Sequence, residues 1–335
     1  MGKPRVYVTR IIPDQGLDQI RAFCDAKVWE DELPPPRDVL LRESREVDGL
    51  VSLLTDRIDP ELMDACPRLR VVSNMAVGFD NIDIPAASER GILVGNTPGV
   101  LTETTADFAF TLLMAAARRI VEGVDYVRAG RWKTWGPMLL MGADIHHATL
   151  GLVGLGRIGA EMAKRAHGFD MRVIYYDVQR REDLEQSMGL TYLPLDDVLA
   201  QADFVSVHTP LTPETHHLMN RERLGRMKST AILINTSRGP VVETEALIEA
   251  LRGGTIGGAA LDVTEPEPLP ADSPLVSLPN CIVVPHIASA SGVTRGQMAA
   301  IAARNLIAGL KGEALPAGLN NGALGRGRSA MAGDW

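Results

Sequence analysis

The sequence predicts an α/β protein made of two doubly wound parallel sheets. Three observations carry that prediction. Short apolar runs of strand length alternate with helix-compatible stretches nearly throughout. One run, in the middle of the chain, leads straight into a glycine-rich turn and a helical pattern. The length, 335 residues, fits two domains at roughly 100–200 residues each.

In the first unit, Arg5–Thr9, Gly49–Leu54, Leu69–Asn74 and Ile92–Val94 read as strands, and Pro34–Pro36 marks a loop. Thr102 to Ala129 form one long helical pattern, with Thr102 and Thr104 as caps and Gly130 as the stop. The segment RWKTWGPMLLMG follows; it has no clean period and reads as an extended loop. A second alternating unit begins at Thr149, with strands in TLGLVGLG, RVIYYD, FVSVHTP, AILINTS, GGAALDV and CIVVPH. Six strands with intervening crossovers match a doubly wound nucleotide fold. Gly292–Leu310 is the last helical pattern, and the tail from Gly318 reads as a frayed end.

Bulk properties exclude several classes. Hydrophobic residues make up 45% and charged residues 23%, which is globular rather than disordered. The net charge of −8 opposes nonspecific attraction to nucleic acid or anionic membrane, so no partner of either kind is expected. A negative chain that handles a negative substrate must concentrate cations locally, which directs attention to particular arginines. The 3 cysteines, Cys24, Cys66 and Cys281, are widely spaced and form no CxxC pair. Neither a disulfide framework nor a metal site is expected, and a reducing cytoplasm is the natural compartment. MGKPRVYVTR lacks the apolar core of a signal peptide, and Gly2 lacks the Ser/Thr pattern of myristoylation. The longest largely apolar run, Ala109–Ala117, is less than half of the roughly 20 residues of a spanning helix.

The strongest local signal is Gly154-Leu155-Gly156-Arg157-Ile158-Gly159. The first glycine permits a tight turn, the second lets a pyrophosphate approach the backbone, and the third lets helix and strand close on each other. The helix N-terminus adds free N–H groups and a positive dipole end. Asp177 ends the next strand, 18 positions beyond Gly159. A carboxylate there accepts ribose hydroxyls and repels a 2′-phosphate, which favours NAD(H). Arg180 and Arg181 follow closely and soften that preference, so NADP(H) stays open.

Arg238, Glu267 and His286 each follow a later strand of the same unit, where ligands of an open α/β sheet bind. Reducing a 2-oxo acid calls for these residue types. Histidine can donate a proton to the carbonyl oxygen near neutral pH. Arginine grips two oxygens with its planar fork. A carboxylate beside the histidine orients the ring and stabilises its charge. Taken singly, each is more often structural: a solvated charge, a satisfied histidine, an acid in a Pro-rich segment.

Together these features resemble the D-isomer-specific 2-hydroxyacid dehydrogenase family, and within it the glyoxylate/hydroxypyruvate reductase branch. The resemblance runs from about Pro4 to Asn320 and rests on VGFDNID, NTPGVLTETTADFAF, GLVGLGRIG, HTPLTPET, NTSRGPVV, GGAALDVTEPEPLP and PHIASA, in that order. It implies that His286 is the acid–base, Glu267 its partner and Arg238 the substrate clamp. It implies that the backbone at Val77 and Gly78 holds the substrate carboxylate, with Leu54 nearby. It sets Thr105, Gly154, Gly156, Arg157, Ile158, Gly159, Asp177, Thr209, Pro210, Thr215, Thr236, Ser237, Arg238, Asp262, His286 and Ala288 around the cofactor. Trp135, in WGPMLL, resembles a tryptophan that reaches a partner subunit's substrate pocket; as a plain anchor of a dimer interface it would fit equally, and both roles are compatible.

The implied architecture is a Rossmann NAD-binding domain, 103–285, inserted in a flavodoxin-like substrate domain, 1–102 and 286–320, with a tail at 321–335. Two crossings between the domains would make a hinge, and closure would exclude water. The family implies a homodimer. Ending near Asn320, the matched region has no counterpart of the regulatory domains of long phosphoglycerate dehydrogenases, and feedback control is not expected. The expected activity is reduction of glyoxylate or hydroxypyruvate with NADH. Two alternatives remain at this point: the same fold acting on phosphoglycerate, another 2-hydroxy acid, formate or phosphite, or a non-catalytic, NAD-sensing, corepressor-like protein.

Overall fold

The computed structural model describes residues 2–325. The chain divides into two compact units. One runs from the start of the chain to Leu101 and resumes at Ser291; the other is the contiguous stretch Thr102–Ala290.

The first unit holds five parallel strands: β1 (Arg5–Val8), β2 (Asp25–Val28), β3 (Gly49–Ser52), β4 (Val71–Asn74) and β5 (Leu93–Gly95). Their order is β2-β1-β3-β4-β5, the flavodoxin-like winding whose direction reverses between β1 and β3. β3 and β4 are buried at every position, as expected of parallel strands covered on both faces. β2 alternates exposed and half-buried residues; it is an edge strand, and its sequence DAKV gave no apolar run to recognise.

The helix Gly292–Lys311 belongs to this unit. Its buried face is rich in alanine, including Ala299, Ala302 and Ala303, and such small side chains let it lie close to the sheet. Ser73 Oγ on β4 donates to the Ala302 carbonyl at 2.8 Å. Asn305, fully buried, donates to the Asn96 carbonyl and accepts from the Ala317 amide, both at 2.9 Å.

Beyond that helix the chain is not frayed from Gly318, as the sequence suggested. Gly318 bridges to Gly95, and Asn320 Oδ1 accepts from the Val94 amide at 2.7 Å. Asn321–Ala323 form a short 3-10 turn with Ala323 buried. Polar side chains, which carry no periodicity, hold this segment in place. The rest of the expected tail, 326–335, lies outside the described residues.

The second unit holds seven parallel strands: β6 (Thr149–Val153), β7 (Arg172–Tyr176), β8 (Thr191–Tyr192), β9 (Phe204–Val207), β10 (Ile232–Asn235), β11 (Gly258–Leu261) and β12 (Cys281–Val283). Six were expected; the additional one, β8, is a two-residue edge. The order β12-β11-β10-β9-β6-β7-β8 is a Rossmann winding extended by one strand, reversing between β6 and β9. Alternate residues feed two cores. Leu150, Leu152, Tyr175 and Ile234 face the helices Thr102–Ala117 and Arg157–His167. Val153, Val205, Val207, Leu233 and Leu261 face the helices Leu195–Gln201 and Thr244–Arg252. Among the described residues, no helix is long and apolar enough to cross a membrane.

The expected single helix from Thr102 to Ala129 is broken. It spans Thr102–Ala117, and a second helix spans Ile120–Arg128. Arg119 lies between them in the left-handed region, at φ 51°. The cause is tertiary: the returning chain inserts the Ala143 amide, which donates to the Ala117 carbonyl at 2.9 Å. That carbonyl would otherwise continue the helical ladder.

Candidate active site

Every strand-end residue singled out in the sequence lies at the carboxyl end of its sheet, on the side where open α/β sheets bind ligands. On the second unit, Gly154 follows β6, Asp177 follows β7, Thr209 follows β9, Thr236 to Arg238 follow β10, Asp262 follows β11 and His286 follows β12. On the first unit, Leu54 follows β3, while Val77 and Gly78 follow β4.

The glycine turn is built by close backbone approach. Gly154 sits at φ 97°, which β-carbon-bearing residues avoid. A β-carbon at Gly159 would meet the Gly154 carbonyl oxygen at 2.4 Å. The turn delivers the chain into the 11-residue helix Arg157–His167 with Gly156 as its N-cap, and Gly156 and Arg157 are exposed. Free N–H groups at such an end suit a pyrophosphate.

Asp177 braces this turn. Its Oδ2 accepts from the Leu155 amide at 2.6 Å and its Oδ1 from the Gln179 amide at 3.0 Å. The arginines that follow already have partners. Arg180 is bidentate on Glu185, with both bonds at 2.8 Å; Arg181 is bidentate on Asp183 at 2.9 and 2.8 Å. Arg180 and the Tyr175 hydroxyl hold the Glu185 carboxyl down at about 2.

Farther along the sheet edge, two hydroxyls fit a dinucleotide cofactor. Thr209 Oγ1 and Thr236 Oγ1 are buried without a hydrogen-bond partner among the described residues. Unpartnered buried hydroxyls are costly, and a dinucleotide's polar atoms could satisfy them. Thr215 and Ser237 differ. The Thr215 hydroxyl donates to the Pro210 carbonyl at 2.6 Å and accepts from the Thr212 amide at 2.8 Å. The Ser237 hydroxyl donates to Asn235 Oδ1 at 2.8 Å. Both shape their loops from within. Thr105 is buried in the first turns of the helix Thr102–Ala117. Half-buried His208, beside the glycine turn, shares a 2.9 Å hydrogen bond with Ser206 Oγ, and desolvation lowers its pKa to about 4.

His286 and Glu267 meet directly: Nδ1 lies 2.6 Å from Glu267 Oε1. The backbone at His286 is left-handed, at φ 55°, a conformation that a bulky residue keeps only under constraint. Asp262 supplies the constraint. Its carbonyl accepts from the His286 amide at 2.9 Å, Oδ1 from the Ile287 amide at 2.6 Å and Oδ2 from the Ala288 amide at 2.9 Å. Burial raises the Asp262 pKa, and those amide bonds oppose the rise. These bonds also carry residues 286–290 with the second unit, whereas the sequence boundary at 285 had assigned His286 and Ala288 to the first. Glu267 and His286 line a cavity of about 610 Å³ with Val276, Ile282 and Val284.

Arg238 is half-buried on the loop after β10 and is not among that cavity's lining residues. Asn235, fully buried, organises the loop: Oδ1 accepts from the Ser237 amide at 3.0 Å and Nδ2 donates to the Arg238 carbonyl at 2.9 Å. A β-carbon at Gly239 would lie 1.9 Å from the Thr264 carbonyl oxygen. Only glycine lets the Arg238 loop approach the loop that bears Glu267 so closely.

On the first unit, buried Asp56 closes the turn containing Leu54, accepting from the Leu53 amide at 2.7 Å and Thr9 Oγ1 at 2.6 Å. Asn74 Nδ2 donates to the Gly78 carbonyl at 3.0 Å and Asn96 Nδ2 to the Val77 carbonyl at 2.7 Å. The carbonyls of Val77 and Gly78 are thereby held, while their amides donate to no acceptor among the described residues. The sequence reading missed Asp56, Asn96 and Asn235; polar residues just past apolar runs were the available signal. Trp135 is 78% exposed in the irregular segment before β6.

A Rossmann sheet whose edge joins a pyrophosphate-type turn to an imidazole–carboxylate pair defines a dinucleotide-dependent oxidoreductase. Residues 110–288 match the family described as D-isomer specific 2-hydroxyacid dehydrogenase, NAD binding domain. The glyoxylate reductase of Korarchaeum cryptofilum is 56% identical over 315 residues, 94% of this chain and 95% of that protein. A crystal structure of the TT0316 protein from Thermus thermophilus superposes with a TM-score of 0.89 at 50% identity, covering 94% of this chain and 99% of that one. The NADPH-dependent glyoxylate/hydroxypyruvate reductase of Sinorhizobium meliloti, solved with NADP and malonate, gives a TM-score of 0.84 at 34% identity, covering 96% and 98%. The chain belongs to the D-isomer-specific 2-hydroxyacid dehydrogenase family and is an NAD(P)-dependent oxidoreductase.

Proposed function

We propose that this enzyme reduces glyoxylate or hydroxypyruvate to the 2-hydroxy acid, using NADH in preference to NADPH. The observation that carries the proposal is the His286–Glu267 pair, 2.6 Å apart at the carboxyl end of a Rossmann sheet. A bound reduced nicotinamide would supply the hydride that C2 of the substrate requires. Protonated His286 donates to the carbonyl oxygen, and Glu267 on Nδ1 orients the ring and stabilises its charge. Arg238 is assigned to grip the substrate carboxylate; on the first unit, the unengaged amides of Val77 and Gly78, and Leu54, are assigned to substrate binding.

The cofactor preference rests on Asp177 and its surroundings. The carboxylate accepts ribose hydroxyls and repels a 2′-phosphate, and Arg180 and Arg181 are each already paired with an acid. Thr209 and Thr236 supply hydroxyls to the dinucleotide, with Thr105, Arg157, Ile158, Pro210 and Ala288 around it.

The enzyme works as a homodimer in the cytoplasm. The helix Ile120–Arg128 buries no residue, and exposed Ile120, Val124, Val127, Trp135 and Met138 give that segment an apolar surface suited to a second copy. The cysteines are free thiols, in keeping with a reducing compartment.

The test is loss of reduced nicotinamide absorbance on mixing purified protein with glyoxylate or hydroxypyruvate, with NADH and NADPH in parallel. Rapid oxidation of NADH is expected. A faster reaction with NADPH would keep the reductase and discard the role given to Asp177; no oxidation with either, despite NADH binding, would overturn the substrate. Gel filtration giving a monomer at micromolar concentration would overturn the dimer.

A further inference from the structure

His216, His217 and Glu265 stand together on the second unit, and the reaction proposed above uses none of them. The two imidazole rings are stacked, with centroids 3.9 Å apart and planes 29° apart. Glu265 faces both: Oε2 lies 2.7 Å from His217 Nε2, and Oε1 lies 3.8 Å from His216 Nε2. One donor atom from each residue falls within 4.8 Å of the others.

Consecutive residues of an extended chain point to opposite sides. These two point the same way because His217 is left-handed, at φ 51°, a rare state for a residue with a bulky side chain. The backbone holds it there. The His217 amide donates to the Pro240 carbonyl at 2.7 Å and the His216 amide to the Thr212 carbonyl at 2.9 Å. Across the site, the Glu265 carbonyl accepts from Thr244 Oγ1 at 2.7 Å. The donors are therefore carried by anchored turns.

We propose that His216, His217 and Glu265 form a binding site for one divalent d-block cation of the zinc class. Two imidazoles and a carboxylate suit Zn²⁺, Ni²⁺ or Cu²⁺, whereas Mg²⁺ and Ca²⁺ seek sets made of oxygen. Tetrahedral bonds of about 2.0–2.2 Å put donor atoms about 3.3–3.6 Å apart. One Glu265 oxygen lies 2.7 Å from His217 Nε2 and the other 3.8 Å from His216 Nε2, so small side-chain rotations bring one donor from each residue to that spacing. Three protein ligands leave one position for water. Occupancy clasps the turn ending at His217 to the segment that runs from Glu265 to Glu267. The cation thus stiffens the loop that carries the partner of His286.

Chelator-treated full-length protein is titrated with ZnCl₂ by calorimetry, and its Tm is followed with and without Zn²⁺. The expected result is one equivalent bound per chain and a rise in Tm with metal. His216→Ala and Glu265→Gln should each weaken binding by at least roughly 10–100-fold, the loss seen when even an outer partner of a metal ligand is removed. The His216 side chain is 51% exposed, so its removal spares the fold, which circular dichroism verifies. His286→Ala should keep full affinity, separating this site from the catalytic pair. Zn²⁺ affinity unchanged in both His216→Ala and Glu265→Gln, or lost in His286→Ala alone, overturns the proposal.

Discussion

Replacing Asp177 by asparagine should move the enzyme from NADH toward NADPH. The side chain is half-buried at the end of β7 and accepts from the Leu155 and Gln179 amides. Two unit charges about 4 Å apart interact by about 1 kcal/mol in bulk water and about 4 kcal/mol at an effective dielectric near 20. A half-buried site lies between these limits, so the 2′-phosphate of NADPH is disfavoured by about 2 kcal/mol, roughly 30-fold. Neutralising the carboxylate removes that term. It also turns a charge-assisted bond to the ribose into a neutral one of about half the strength, costing NADH about 1 kcal/mol. The strain put on the glycine turn by an amide facing two N–H donors affects both cofactors and cancels in the ratio. Together the NADPH/NADH ratio of kcat/KM should rise by about 100-fold. Steady-state kinetics of the two proteins with both cofactors give that ratio directly. A change of less than about threefold, below 1 kcal/mol, would refute the electrostatic argument. Glu185→Gln provides an independent arm, because releasing Arg180 from its bidentate partner should favour NADPH with Asp177 intact.

Arg238→Lys should lower kcat/KM by roughly 10–100-fold, since a point charge replaces a two-pronged grip; near-normal kinetics would remove the clamp assignment. Asp262→Asn should cost about 3 kcal/mol of stability, because one amide oxygen cannot accept from both Ile287 and Ala288 and a buried N–H is left unpaired. Turnover should fall with it as the His286 turn relaxes, and a lowered Tm with unchanged kcat would show that the turn does not position the ring. His208 predicts an acid-sensitive stability. Its folded pKa, about 4, lies below its ordinary 6.5, so the unfolded chain takes up the proton first. Stability is therefore complete above pH 6.5 and declines as pH falls toward 4. The full shift corresponds to about 3 kcal/mol, and partial exposure of the residue argues for about half. His208→Gln should flatten Tm against pH across that window; an unaltered slope would assign it to other groups.

Much of this architecture is legible in the sequence because the signals are local. The β6 run, the glycine turn and the following helix are contiguous, so their spacing alone identifies the turn. Arg238, Glu267 and His286 stand out as polar residues after apolar strands, yet periodicity cannot reveal that the latter two lie 2.6 Å apart. Features imposed from a distance are not legible. The helix break at Arg119 is made by Ala143, and propensity alone favours continuing the helix. The edge strands β2 and β8 bury too little to show alternation. Asp262 looks like a cofactor ligand in the linear motif; only its bonds to the 287 and 288 amides show that its carboxylate fixes the backbone carrying His286.

The first unit is assembled from the two ends of the chain, and this bears on synthesis at the ribosome. The second unit is continuous and has all its strands once Val283 has emerged. The first must wait for the helix Gly292–Lys311, on which Ser73 and Asn96 depend for their buried partners. At about 5–20 residues per second, translating the intervening stretch takes roughly 10–40 s. Throughout that interval an earlier-made sheet lacks the helix that covers it and exposes β-branched residues such as Val51 and Val71. The segment made first is thus completed last, and its dwell time as a nascent chain is set by the length of the domain inserted within it.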